Sequence, residues 1–207
     1  MLPDPIFRTQ AFHFVDATFN ARIPDPTLLS IWYQQHPDPP PASDLFWSRI
    51  WPSGLGLCQW LALHPEVVRN KSVLEIAGGL GLPSLLIAPI VNTITCTDIN
   101  QQAVETVRQS AQLNGYENVF TAIASWASVP DEWEADVLLL SDVNYEPAAL
   151  ADQKKLISRF LEKGSTVILS TPERIVARSF LEEWLPYQSI HESFPVEQET
   201  IHVYVLS

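Results

Sequence analysis

Cysteine is scarce in this chain, with only Cys58 and Cys96 in 207 residues. Two thiols cannot make a disulfide framework, and neither falls at a metal-ligand spacing. Both sit in apolar stretches and read as buried structural thiols. Basic residues are also few: 12 Lys and Arg stand against 24 Asp and Glu, a net charge of −12. That surface repels phosphate backbones, and only Lys154 and Lys155 are adjacent, so nucleic acid is not an expected partner. No apolar run approaches the roughly 20 residues that span a bilayer. The start, Met1-Leu2-Pro3-Asp4-Pro5, lacks the basic flank and apolar stretch of a secretory signal. A membrane is therefore not an expected partner, and the expected location is cytoplasmic. His13, His36, His64, His191 and His202 are scattered with no pair at ligand spacing, so neither a metal nor a catalytic histidine is expected. His202 reads as an outward-facing strand residue. Ser53 lies in no nucleophile elbow, which removes support for a hydrolase.

What remains is globular in composition: 46% hydrophobic and 17% charged residues, in a length that suits one sizeable core. Residues 1–50 are irregular and proline-rich. Within them Ala11–Val15 and Ala17–Phe19 suggest a short hairpin and Leu28–Gln35 a short helix, and Asp38-Pro39-Pro40-Pro41 predicts an extended linker. This extension is too small for a core of its own and is expected to pack on the main body, 51–207. From about Gly54 strands and helices alternate. The pattern predicts strands at 72–76, 93–97, 119–123, 135–141 and 165–170, with helices between them. One helix stops at Asn114-Gly115, and another carries Val176, Phe180 and Trp184 on one face. Segments 187–194 and 199–206 have no helix between them and predict an antiparallel pair at the sheet edge. Alternation of this kind gives an α/β fold with a parallel sheet covered on both faces.

Such sheets bind ligands at the carboxyl ends of their strands. The first strand of the main body ends in Glu75, and Ala77-Gly78-Gly79-Leu80-Gly81 turns into a helix. A dinucleotide site would want a third glycine where Ser84 stands, and no acid where a pyrophosphate must lie. S-adenosylmethionine has no phosphate and carries an ammonium and a sulfonium, so a carboxylate at this turn suits it. Asp98, about twenty residues on at the end of the next strand, suits both hydroxyls of a ribose. The bland alternatives are that Glu75 caps a helix and Asp98 starts a turn.

Three segments resemble one family, the seven-β-strand protein-lysine methyltransferases with a D-x-x-Y motif. Phe46 to Gly54 resembles the family's W-x-x-x-W-P-x-G entrance, Leu74 to Gly81 its L-E-L-G-A-G-x-G loop, and Ser141-Asp142-Val143-Asn144-Tyr145 the D-x-x-Y itself. Two positions depart from the pattern: Ala77 stands for the first glycine and Gly78 for the alanine. Ser125 also stands where the family often has an acid. The resemblance implies a Rossmann-like, seven-stranded, mostly parallel sheet with an antiparallel C-terminal pair. It implies S-adenosylmethionine as cofactor, near Trp51, Glu75, Ala77, Gly78, Gly79, Gly81, Asp98, Ile99, Ser125, Trp126 and Ser141, with Trp126 beside the adenine. It also implies a protein substrate. A lysine amine must first lose its proton; Asp142 is placed to orient it, Tyr145 to form an aromatic wall, and Trp47 and Trp51 to close the pocket. A small-molecule amine acceptor and a non-catalytic cofactor-binding module remain the alternatives.

Overall fold

The computed structural model describes residues 2–36, 38, 41–143, 147–173 and 180–207. Two eight-residue strands, β1 (Phe7–Phe14) and β2 (Ala17–Pro24), pair antiparallel into a hairpin. The first fifty residues are thus more regular than their composition predicts. Helix α1 (Pro26–Gln35) follows, two residues longer at its start than the hydrophobic spacing suggested, because Asp25 caps it by accepting from Thr27 N and Leu28 N at 2.9 and 3.1 Å. A 3-10 helix, Ala42–Ser48, leads into α2 (Pro52–Leu63).

The main sheet contains β3 (Ser72–Ile76), β4 (Thr93–Asp98), β5 (Val119–Ile123), β6 (Val137–Ser141), β7 (Thr166–Pro172), β8 (Gln188–Val196) and β9 (Glu199–Leu206). Their order is β5-β4-β3-β6-β7-β9-β8, parallel except where β9 inserts antiparallel between β7 and β8. The helices are α3 (Leu82–Ile87), α4 (Gln101–Leu113) and α5 (Leu150–Glu162). This is the α/β, seven-stranded arrangement that the alternation and the resemblance predict. The expected helix through Val176 falls partly on residues 174–179, outside the described residues; Phe180 and Trp184 are buried.

Each strand feeds both faces because successive side chains point oppositely. Val73, Val137, Leu139 and Ile168 join one core cluster with α2, α3 and the N-terminal hairpin. Leu74, Leu138, Leu140 and Leu169 join the other with α5, Phe180 and Trp184. A two-stranded hairpin is at best marginal alone. Here Phe19, Ala21 and Ile23 of β2 are buried in the first cluster, and Arg22 N donates to Ser110 Oγ of α4 at 2.9 Å. Asn114, which ends α4, accepts from Asn20 N at 2.8 Å and donates to Asn20 O at 2.7 Å. Among the described residues no helix is long and apolar enough to cross a membrane.

Strand pairing also brings together histidines that look scattered in sequence. His191 Nε2 lies 3.1 Å from His202 Nδ1 across the β8–β9 pair, and His191 stacks on Tyr204 at 4.3 Å. Among the described residues no group of three or more His, Cys, Asp or Glu is placed to hold a metal.

Candidate active site

The chain reverses its strand order at β3, whose neighbours are β4 and β6, so the carboxyl ends of these three strands diverge around a crevice. After β3 the backbone passes through left-handed conformations at Ala77 (φ 56°), Gly79 (φ 56°) and Gly81 (φ 63°). For alanine that conformation costs about 1–2 kcal/mol. The turn is held against this strain: Gly78 N donates to Thr97 O at 2.8 Å, and Gly81 N to Gly78 O at 2.8 Å.

The exchange of alanine and glycine relative to the family pattern has a steric explanation. A Cβ on Gly78 would collide with Cys96 Sγ and come within 3.3 Å of the Glu75 carboxyl carbon. Glycine is required at 78 because a cysteine occupies the space beneath it, and the left-handed position falls to Ala77. Cys96 is accordingly not in purely apolar surroundings, as its neighbours in sequence suggested. Its Sγ lies 3.6 Å from Glu75 Oε2, and burial pushes the thiol well up from its ordinary range. Cys58 is fully buried.

Glu75 is 1% exposed. Its Oε2 accepts from Ser84 N at 3.2 Å and from Ser84 Oγ, so it does cap the first turn of α3. Its Oε1 is buried with no partner. Burial pushes this carboxyl up to about 7, Ser84 and Cys96 pull it down, and the charge of Asp98 adds to the rise. Asp98 also plays the bland role and another. Its Oδ1 accepts from Asn100 N at 2.8 Å, forming a turn, while its Oδ2 accepts from Gly79 N at 2.9 Å. Burial raises its pKa against these backbone donors.

These groups line a cavity of about 910 Å³. It collects Glu75 of β3, Ala77, Gly78 and Gly79 from the turn, Asp98 and Ile99 at the end of β4, Ser125 and Trp126 after β5, Ser141 and Asp142 at the end of β6, and Trp51 from the entrance segment. Gly81, expected with them, is not in the lining. It caps α3, and a Cβ there would sit 2.8 Å from Val107 of α4, so its work is helix packing. Ser125 faces the cavity, but its hydroxyl also lies 3.1 Å from Ser128 Oγ. Trp47 lines the cavity and is largely buried, and its carbonyl would meet a Cβ on Gly79 at 3.0 Å, so glycine there lets entrance segment and turn touch. Trp51 Nε1 donates to Phe46 O at 2.9 Å, fixing its ring edge-on to Phe46.

Asp142 follows β6 in a left-handed conformation (φ 56°), with its N–H donating to Ser170 O at 2.9 Å. Aspartate tolerates that region better than most residues, and strained backbone of this kind clusters at functional sites. The next residue is anchored twice: the Val143 side chain is 1% exposed, and its carbonyl accepts from buried Gln153 Nε2 of α5 at 2.6 Å. Tyr145 lies outside the described residues. Sequence reasoning missed Asp44, Arg49 and Asn100 in the lining and Gln153 behind it. Only Arg49 had a signal, lying between the two entrance tryptophans.

The lining fits S-adenosylmethionine. The Asp98 oxygens accept from backbone amides and, facing the cavity, retain acceptor capacity for ribose hydroxyls. The unpartnered Glu75 oxygen and Asp44 offer negative charge to a cation.

Residues 46–184 match the family model described as lysine methyltransferase. Human histone-arginine methyltransferase METTL23 is 27% identical over 73% of this chain and 87% of that protein. The electron transfer flavoprotein beta subunit lysine methyltransferase of Mus musculus is 30% identical over 65% of this chain and 53% of that protein. Protein-lysine N-methyltransferase EFM3 of Chaetomium thermophilum is 27% identical over 72% of this chain, which spans 50% of its length. Among solved structures, a T. thermophilus 16S rRNA N2 G1207 methyltransferase in complex with AdoMet and guanosine superposes with a TM-score of 0.69 at 14% identity. That match covers 100% of this chain and 52% of that one, and shows the fold alone.

Proposed function

Because the chain belongs to the lysine methyltransferase family and uses S-adenosylmethionine, we propose that it methylates the side-chain amine of a lysine in a protein acceptor. The observation that carries this reading is Asp142, held in a left-handed turn at the carboxyl end of β6 on the wall of the acidic cavity. When bound, the cofactor supplies a methyl group on a positively charged sulfur. Asp98 holds the ribose, and Glu75 faces the cationic amino-acid portion. Trp47 and Trp51 exclude water from the same space. The acceptor enters as an ammonium, whose ordinary pKa is about 10.4. The Asp142 carboxylate attracts it, accepts one of its N–H bonds, and fixes the direction of the lone pair once a proton is lost to water. Positioning of this kind carries much of the rate in a displacement reaction.

The test is labelled cofactor with a lysate of the source organism, followed by acid hydrolysis and amino-acid analysis of the labelled protein. Methyl-lysine is the expected product. Asp142→Ala is expected to lose at least about a hundredfold in kcat, the scale of one oriented catalytic group, with cofactor affinity unchanged. Full activity in that variant would overturn the assignment. Methylarginine would instead support a second reading, favoured by the 87% coverage of the histone-arginine relative. Label in free amines alone would point to a small-molecule acceptor.

A further inference from the structure

Among the described residues a single cation lines the cofactor cavity. Asp44, Glu75, Asp98 and Asp142 stand on its wall, and Arg49 alone opposes them. Local backbone shape turns this arginine toward the cavity. Arg49 (φ −95°, ψ 147°) and Trp51 (φ −92°, ψ 137°) are both extended. Residues two apart in an extended segment share a face. Ile50, between them, points the other way and packs against the first core cluster. The Arg49 guanidinium carbon lies over two rings of the cavity wall, 5.4 Å from the Phe46 centroid and 5.8 Å from that of Trp51.

Stacking of this kind uses the flat face of a guanidinium. Its N–H donors lie in the plane, at the edges, and stay available to an anion. Arg8, Arg22, Arg108 and Arg159 each lie against a carboxylate of this chain. Arg49 is in no ion pair among the described residues, although an acid, Asp44, stands on the same wall. A bare cation here would repel the ammonium of an incoming acceptor. The cofactor brings the missing anion, because its amino-acid portion carries a carboxylate beside its ammonium. The four acids of the cavity suit the ammonium and repel the carboxylate.

We propose that Arg49 holds the carboxylate of the cofactor's amino-acid portion while Asp44 and Glu75 face its ammonium, so that the site selects a zwitterionic end. A planar fork of donors matches a carboxylate at two points and fixes its direction. The bound carboxylate in turn cancels the charge of Arg49 beside the path of the acceptor. The inference rests on the cofactor reading above and is independent of whether the acceptor is lysine.

The experiment measures binding to the full chain by calorimetry, with S-adenosylmethionine and with its decarboxylated form. The second ligand keeps the adenosine, the sulfonium and the amine and lacks only the carboxylate. It carries more net positive charge, so attraction to an acidic cavity alone would make it the tighter ligand. The wild type is expected to show the opposite order, binding S-adenosylmethionine about tenfold more tightly, the scale of one charge-assisted hydrogen bond. Arg49→Met keeps an unbranched stem over the rings and removes the fork. It should lose about tenfold in affinity for S-adenosylmethionine and nothing for the decarboxylated form. Arg49→Lys restores a point charge without the fork and should recover part of the preference. A distorted entrance segment would weaken both ligands alike, so equal weakening in Arg49→Met overturns the proposal. So does a wild type that binds the decarboxylated form as tightly or more tightly. If the wild type binds neither ligand, the cofactor reading fails and this inference fails with it.

Discussion

At the carboxyl ends of β3 and β4 the acids are gripped by their neighbours: Glu75 by the amide and hydroxyl of Ser84, Asp98 by the amides of Gly79 and Asn100. At the carboxyl end of β6 the backbone itself is shaped and anchored, with Asp142 in a left-handed turn whose next residue is tied down by Gln153. The first arrangement pre-forms a receptor for a fixed ligand. The second leaves the acid on a segment held from behind, which suits a group that must meet a large and variable acceptor. The two ends should therefore fail differently when altered: one in affinity, the other in turnover.

The largest expected effect tests the gripped end. With Asp98 as the proposed ribose ligand, Asp98→Ala would remove two charge-assisted hydrogen bonds, each worth about 1.5–3 kcal/mol. Cofactor affinity by calorimetry should fall by more than about a hundredfold. A change confined to kcat would erase the distinction between the two ends.

Glu75 gives the next effect, on stability. Its carboxyl is pushed from its ordinary value of about 4.5 up to about 7 in the folded chain, so the folded state holds the proton more tightly than the unfolded state. The resulting stability is fully present below about 4.5 and is lost as pH rises through about 7. The span corresponds to about 3 kcal/mol. Urea unfolding of cofactor-free protein across this window should show the slope in the wild type and not in Glu75→Gln.

Gly78→Ala should destabilise by about 2 kcal/mol, because the new methyl overpacks against Cys96. Cys96→Ala in the same chain should restore most of that loss in thermal unfolding, and simple additivity of the two changes would show that they do not touch.

The smallest effect sharpens the acceptor end. Gln153→Leu removes the amide that holds the Val143 carbonyl, and should lower kcat about tenfold, the scale of a lost buried hydrogen bond, with cofactor affinity unchanged. An equal loss in affinity would mean that the two ends move together.

The same contrast explains what was legible beforehand. The cofactor end is written locally: an acid, a glycine turn and a second acid about twenty residues on follow from one βαβ unit. The antiparallel end of the sheet was legible because no helix-length segment separates 194 from 199. The N-terminal hairpin was seen too short, because β1 alternates weakly and the side chains of β2 find their burial only against α3 and α4. Gln153 carried no usable signal, because it reaches the site across ten residues and a helix, and Arg49 carried only its place between the two entrance tryptophans. The His191–His202 contact, eleven residues apart in sequence, exists only once the register of β8 on β9 is known.

The fit between Gly78 and Cys96 also constrains the route by which this turn can change. With cysteine at 96, a methyl group at 78 overpacks the turn, so alanine at 78 costs stability unless residue 96 becomes smaller. The same coupling binds anyone who grafts this turn into another protein. Residues 77, 78 and 96 travel as one unit, although eighteen positions and a helix separate the last two.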